Sequence, residues 1–289
     1  MDSTIRPLLA QLFDYAGLFP PAKLSMEDTV KNYAAYRNAG HAWMLGKIIV
    51  PLTRLHEFVE VAQPFGGEWS LSVIGQASWG SDLDTIREFN SRQSSACDIH
   101  IKSMERKFSL DETPPHNCQE IETYCEVDPT NTEALTVLAS NRLMAKVRCG
   151  GLDKNAFPND VVLAKFLNQC HQLSLPFKAT AGLHHPLKMT RPATQDENAD
   201  TVDMHGFLNL TVAACLLHSG KIPSSQIEAV LADRDINSFE FTPTQIQWHD
   251  TDLDADQIAS ARSMFFHGLG SCSFVEPIED LEQLGLLAT

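Results

Sequence analysis

Along the chain, short apolar runs that end in glycine or proline alternate with longer stretches whose apolar residues recur at helical spacing. Residues 12–18 predict a first strand, closed by Phe19-Pro20-Pro21, because a residue before proline is pushed out of the helical region. Six further runs predict strands at 46–51, 69–75, 98–104, 122–128, 144–149 and 177–181, and the glycine-rich run 266–274 predicts the last. Between them lie predicted helices at 25–37, 55–62, 82–91, 131–140, 160–173, 206–218, 224–232 and 254–264, with a closing helix at 277–286. Ser25, Asp82 and Asp254 are their expected N-caps, Ser25 with an acid three residues on. Three stretches break the rhythm: a polar crossover at 105–119, a long polar loop or lid at 184–203, and a hairpin insertion within 236–250.

Strands alternating with helices argue for a parallel sheet with helices outside, and eight strands predict a (β/α)8 TIM barrel formed by residues 1–289 as a single domain. One ambiguity concerns the count. If residues 1–22 are only a plug, 239–242 must supply the missing stave, and the strands at 144–149 and 177–181 become fifth and sixth instead of sixth and seventh. They are neighbours in either case. In such barrels the active site lies at the carboxyl ends of the strands.

The composition, 43% hydrophobic and 20% charged, is that of a chain able to build a core. No apolar run approaches the length of a membrane span and no signal-peptide pattern opens the chain. Seven cysteines scattered without a CxxC pair suit a reducing, cytoplasmic setting. A formal charge of −15 disfavours nucleic acid and anionic membrane as partners and leaves a small anionic substrate, phosphate or carboxylate, as the expected one. A homo-oligomer stays open.

In so acidic a chain the cations placed at strand ends stand out. Side chains alternate along a strand, so Lys146 shares a face with Arg148, and Lys178 with Thr180. The last inward residues of the predicted strands give a site without reference to any other protein: Asp14, Lys102, Glu126 with Asp128, Lys146 with Arg148, Lys178 with Thr180, and Gly270, Ser271 and Ser273. Two ammoniums on neighbouring strands disfavour each other's protonation, and burial pushes the same way. A lysine so depressed is the nucleophile that imine formation requires, with Glu126 or Asp128 as proton carrier and no cofactor. The competing reading pairs the lysines with those carboxylates as a structural ion layer.

Lys146-Val-Arg-Cys-Gly-Gly, Phe177-Lys-Ala-Thr-Ala-Gly-Leu and Gly268-Leu-Gly-Ser-Cys-Ser resemble the last three strands of deoxyribose-phosphate aldolase, a class I aldolase barrel. The resemblance implies Lys146 as the imine former, Lys178 as the neighbour that lowers its pKa, and Ser271 or Ser273 with Gly270 as a phosphate cradle. It departs from that family at Arg148-Cys149, where the family has small hydroxyl residues, and at His184-His185. Separately, residues 13–21, 177–186 and 270–277 resemble a set of uncharacterised bacterial barrel proteins of about this length, which implies no particular activity.

The histidines make the rival case. His184, His185 and His205 flank one loop and, with Asp128 or Glu126, offer donors for a metal-assisted hydrolase or isomerase. Adjacent histidines point to opposite sides of a strand, however, which is poor ligand spacing, and no HExxH motif is present. The other expectation makes His184 and His185 anion binders beside Arg148, with His205 and Asn209 at a helix N-terminus facing the mouth. A non-catalytic barrel, its mouth blocked and its lysines salt-bridged, is the third reading.

Overall fold

A computed structural model describes residues 2–91, 98–114, 121–193 and 200–288. Parts of the expected crossover (115–120) and of the expected loop (194–199) lie outside the described residues. Eight parallel strands close into a barrel, helices surrounding it: β1 (Phe13–Tyr15), β2 (Leu45–Pro51), β3 (Glu68–Ile74), β4 (Asp98–Lys107), β5 (Glu122–Glu126), β6 (Met144–Arg148), β7 (Phe177–Thr180) and β8 (Phe266–Ser271). Each pairs with the next, and β8 returns to β1, so the fold is a (β/α)8 barrel. The stave in doubt is Phe13–Tyr15. Phe239–Phe241 instead joins Gln245–Trp248 and Thr251–Asp254 in a separate antiparallel sheet. The lysine strands are therefore sixth and seventh.

The helices begin where short polar side chains can take up free backbone N–H groups. Ser25 accepts from the Asp28 N–H, Asn131 from Ala134, Asn159 from Val162, and Asp254 forms a reciprocal capping box with Gln257. Asp82 departs from expectation. Its helix, Trp79–Ser91, has already begun, and Asp82 sits in the first turn accepting from the Ala77 N–H. An unforeseen helix, Asp2–Leu9, buries Ile5, Leu8 and Leu9, and Pro7 within it disguised the helical pattern. The loop after β7 contains a short hairpin, Met189–Pro192 with Thr201–Met204.

The core lies between the outer faces of the strands and the helices, and the helix Phe207–His218 is buried along almost its whole length. The barrel's interior is different. Ser72, Ser103, Glu105, Tyr124, Lys146 and Lys178 are all buried there around an ionic layer. Between β3 and β4 the register slips: Leu71 pairs with Ile101 but Ser72 pairs with Ser103. The bulge changes which side chains of β4 reach the upper interior, so Glu105 and Lys107 do so in place of the even-numbered set that plain alternation predicts. Among the described residues no helix is long and apolar enough to cross a membrane.

Candidate active site

Strand register assembles the site. Cα partners run Lys107 to Glu126, Glu126 to Lys146 and Lys146 to Lys178, so β4 to β7 present one row of alternating and like charges. The glycines that follow the lysine strands are required by packing. A Cβ on Gly150 would lie 2.5 Å from the Gly182 Cα, and one on Gly182, at φ +68°, would lie 2.5 Å from the Cys149 carbonyl oxygen. The two loops cross in direct contact, which holds β6 and β7 at a fixed height beside the mouth.

Five charged side chains form an unbroken alternating chain across the barrel. Glu126 Oε2 lies 3.1 Å from Lys146 Nζ, and the same ammonium is 2.9 Å from Glu105 Oε2. The other oxygen of Glu105 accepts from Lys178 Nζ at 2.7 Å, and Lys178 also donates to Asp14. Asp14 in turn accepts from the Lys47 N–H at 2.6 Å. At the outer end Arg148 grips Glu126 through Nε and Nη2 at 3.1 and 3.3 Å. Ser103 donates to Ser72 and Ser72 to Glu105, both at 2.8 Å.

Electrostatics follow from that arrangement. Burial pushes the Glu105 carboxyl up, but the Lys146 and Lys178 ammoniums outweigh it and hold the group well below the usual carboxylate range. Glu126 is likewise raised by burial and lowered further by Lys146 and Arg148. For Lys178 burial acts downward, yet Asp14 and Glu105 together carry it above the ordinary lysine range. The expectation of a lysine depressed by its neighbour fails at Lys178. The charge beside each ammonium is not the other ammonium alone but a carboxylate wedged between them.

That carboxylate, Glu105, was absent from the expected site. The predicted strand stopped at residue 104, and plain alternation selected Lys102. The bulge that turns Glu105 inward is visible only in the paired strands, so residue order carries no signal for it. Lys102 is exposed and borders a cavity of about 1020 Å³ at the opposite, amino end of the barrel, as do Asp14 and Lys178.

At the carboxyl ends a cavity of about 420 Å³ opens. Of the expected residues it brings together Lys146, Glu126, Arg148, Thr180, His184 and Gly270, and adds Glu105, Arg106 and Lys107. The remaining expected residues lie elsewhere. Asp128 is exposed beyond the end of β5, where it closes a turn with the Thr130 N–H and hydroxyl. His185 is paired with Asp280 at 2.6 Å. His205 contacts the Pro158 carbonyl at 2.7 Å and lies 3.5 Å from Asp160. Asn209 accepts from the Lys188 N–H and donates to the Val230 and Asp233 carbonyls, stapling loops under the helix. Ser271 donates to the Ser273 carbonyl, and the Ser273 hydroxyl accepts from the Glu276 N–H at the start of the closing helix, so neither hydroxyl faces the cavity.

The three histidines therefore do not converge, and among the described residues no three histidine, cysteine or acidic side chains are grouped to hold a metal. His184 alone reaches the cavity, with Nδ1 3.5 Å from Glu276 and its pKa lowered, chiefly by burial.

No family model matches the chain, and no curated protein does. Among solved structures, the tetrameric deoxyribose phosphate aldolase from Aeropyrum pernix is similar over 96% of this chain and 93% of its own, at 14% identity and a TM-score of 0.37.

Proposed function

We propose that the mouth cavity is the active site of an imine-forming lyase of the class I aldolase type, acting on a carbonyl compound that carries an anionic group. The observation that carries this reading is the asymmetry of the two lysines: Lys146 borders the mouth cavity, whereas Lys178, held between Asp14 and Glu105, does not and borders the cavity at the opposite end of the barrel. Lys178 serves as a positioning residue, holding Glu105 so that its second oxygen meets Lys146.

The substrate's anionic group competes with Glu126 for Arg148, which leaves Glu126 with one fewer cation and a greater affinity for a proton. The Lys146 ammonium then passes a proton to Glu126 across 3.1 Å, and the neutral amine attacks the carbonyl carbon. After proton transfer within the adduct, Glu126 returns its proton to the carbinolamine hydroxyl. Water leaves and the iminium remains, its charge faced by Glu105. Glu126, again a carboxylate, takes the proton of a hydroxyl two carbons along. The carbon–carbon bond breaks, an aldehyde leaves, and the electron pair moves onto the imine to give the enamine. Reprotonation and hydrolysis release the second product and restore the ammonium.

Borohydride reduction in the presence of a carbonyl panel tests the chemistry. Intact mass should rise by one reduced adduct, peptide mapping should place it on Lys146, and Lys146→Met should abolish it. No adduct across the panel, or the same labelling in Lys146→Met, would overturn the proposal in favour of a purely structural ion layer.

A further inference from the structure

The walls of the mouth cavity are chemically divided. Cations gather on the β4 and β6 side, at Lys107 and Arg148. The β1 to β3 side is carbon, with Phe19 and Pro21 after β1, Ile49 on β2 and Ile74 on β3, and the loop after β6 adds a separate apolar rim, Leu152 and Phe157. None of Phe19, Ile49, Ile74, Leu152 and Phe157 belongs to the contiguous apolar cluster between strands and helices or packs on it as a partly buried neighbour. Ile49 is only 3% exposed, yet it points inward, where a Cβ on Gly270 would come within 3.2 Å of its Cδ1. Leu152, by contrast, stands 61% exposed at the rim. Apolar side chains grouped around an opening, outside the contiguous core cluster, mark a surface that an apolar ligand covers.

The cavity is also large for a triose-sized compound, falling within the range that encloses a drug-sized ligand. At the polar end, Arg148 already holds one carboxylate, Glu126, through two nitrogens. Lys107 has no ion pair among the described residues. Neither Ser271 nor Ser273 lines the cavity, so neither hydroxyl is placed to cradle a phosphate there.

Resting on the reading of this cavity as the active site, we infer that its substrate is an amphipathic carboxylic acid, with the carboxylate at Lys107 and Arg148 and a branched-aliphatic or aromatic body against the β1 to β3 wall and the apolar rim of the loop after β6. The carbonyl then lies between the two ends, over Lys146. This is a different class from a short phosphorylated sugar.

Calorimetric titration of the full chain with unreactive carboxylates separates this inference from the imine chemistry. Across acetate, butanoate, hexanoate and 3-phenylpropanoate, affinity should rise by about fourfold per buried methylene, with inorganic phosphate and glycerol 3-phosphate weaker than hexanoate. Leu152→Ser, at an exposed position that should leave the fold intact, and Ile49→Thr should each flatten the dependence on chain length. Lys107→Met should weaken all the carboxylates alike. Affinity independent of chain length, an unchanged slope in both apolar variants, or tightest binding by the phosphates would overturn the inference. A graded series without any borohydride adduct would sink the imine reading while sparing the substrate class, and an adduct on Lys146 with a flat series would do the reverse.

Discussion

Lys146 and Lys178 are Cα partners on adjacent strands, both salt-bridged to Glu105, and yet they stand in different energetic positions. Removing Lys178 leaves Asp14 and Glu105 buried with one cation fewer, and an uncompensated charge in such a place costs about 3–5 kcal/mol. Removing Lys146 leaves Glu105 with Lys178 and Glu126 with Arg148, so neither carboxylate loses its last ion pair, whereas Asp14 is paired with Lys178 alone among the described residues. Urea denaturation should therefore show Lys178→Met destabilised by about that amount and Lys146→Met by less than half as much. Equal losses would mean that the two amines are structurally equivalent and that the asymmetry behind the proposed mechanism is absent. Both lysines could be read from residue order, because strand alternation and a neighbouring stave need only the sequence. Glu105 could not, because its direction depends on a bulge that appears only when Leu71 and Ser72 are paired across to β4.

At the scale of elements, most of the barrel was legible. Short apolar runs ending in glycine or proline located all eight staves within a few residues, and the caps Ser25 and Asp254 marked true helix starts. What escaped was decided by contacts between distant parts. Asp2–Leu9 is a helix that Pro7 obscures, and the strand Thr251–Asp254 exists only because Gln245–Trp248 lies beside it. The histidines mislead for the same reason. His185 adjoins His184 and His205 lies at the far end of the same loop, but Asp280 and Pro158, brought in by other elements, draw them away from the mouth. The glycine ends of β6 and β7 show the coupling most sharply. Gly182→Ala places a side chain in the left-handed region and 2.5 Å from the Cys149 oxygen, so it should cost about 1–3 kcal/mol and weaken carboxylate binding as the two loops separate. Asp254→Ala, which removes a cap far from the mouth, should lower stability by about 1 kcal/mol and leave binding unchanged. If both variants affect ligand titrations alike, loop contact does not set the height of the lysines.

Over the whole molecule, the dependence of stability on pH should carry two acid steps of different origin. His184, His205 and His267 all have pKa values lowered chiefly by burial, so each stays neutral in the folded chain at a pH where the unfolded chain binds a proton. The unfolded state then takes up more protons as pH falls through about 6.5, and stability drops by up to about 1.4 kcal/mol per pH unit for each histidine in that window. Glu105 and Glu126 act lower down. Their folded pKa values are depressed, so their stabilisation is complete above the ordinary carboxylate range near about 4.3 and is lost as pH falls below it. Lys178 has the opposite sign: its contribution is complete below the ordinary lysine range of about 10.4, declines as pH rises through and above that range, and is gone above the folded value. The formal charge of −15 opposes the acid steps, since protonation relieves repulsion, but salt screens that long-range contribution and not the buried groups. Urea midpoints measured at high salt should thus be flat between about pH 7 and about pH 10, fall through the histidine window and fall again below the carboxylate one. Replacing His205 and His267 together by glutamine should remove most of the upper step and leave the lower one in place. A parallel decline of variant and parent through the upper window would show that those buried imidazoles do not govern it.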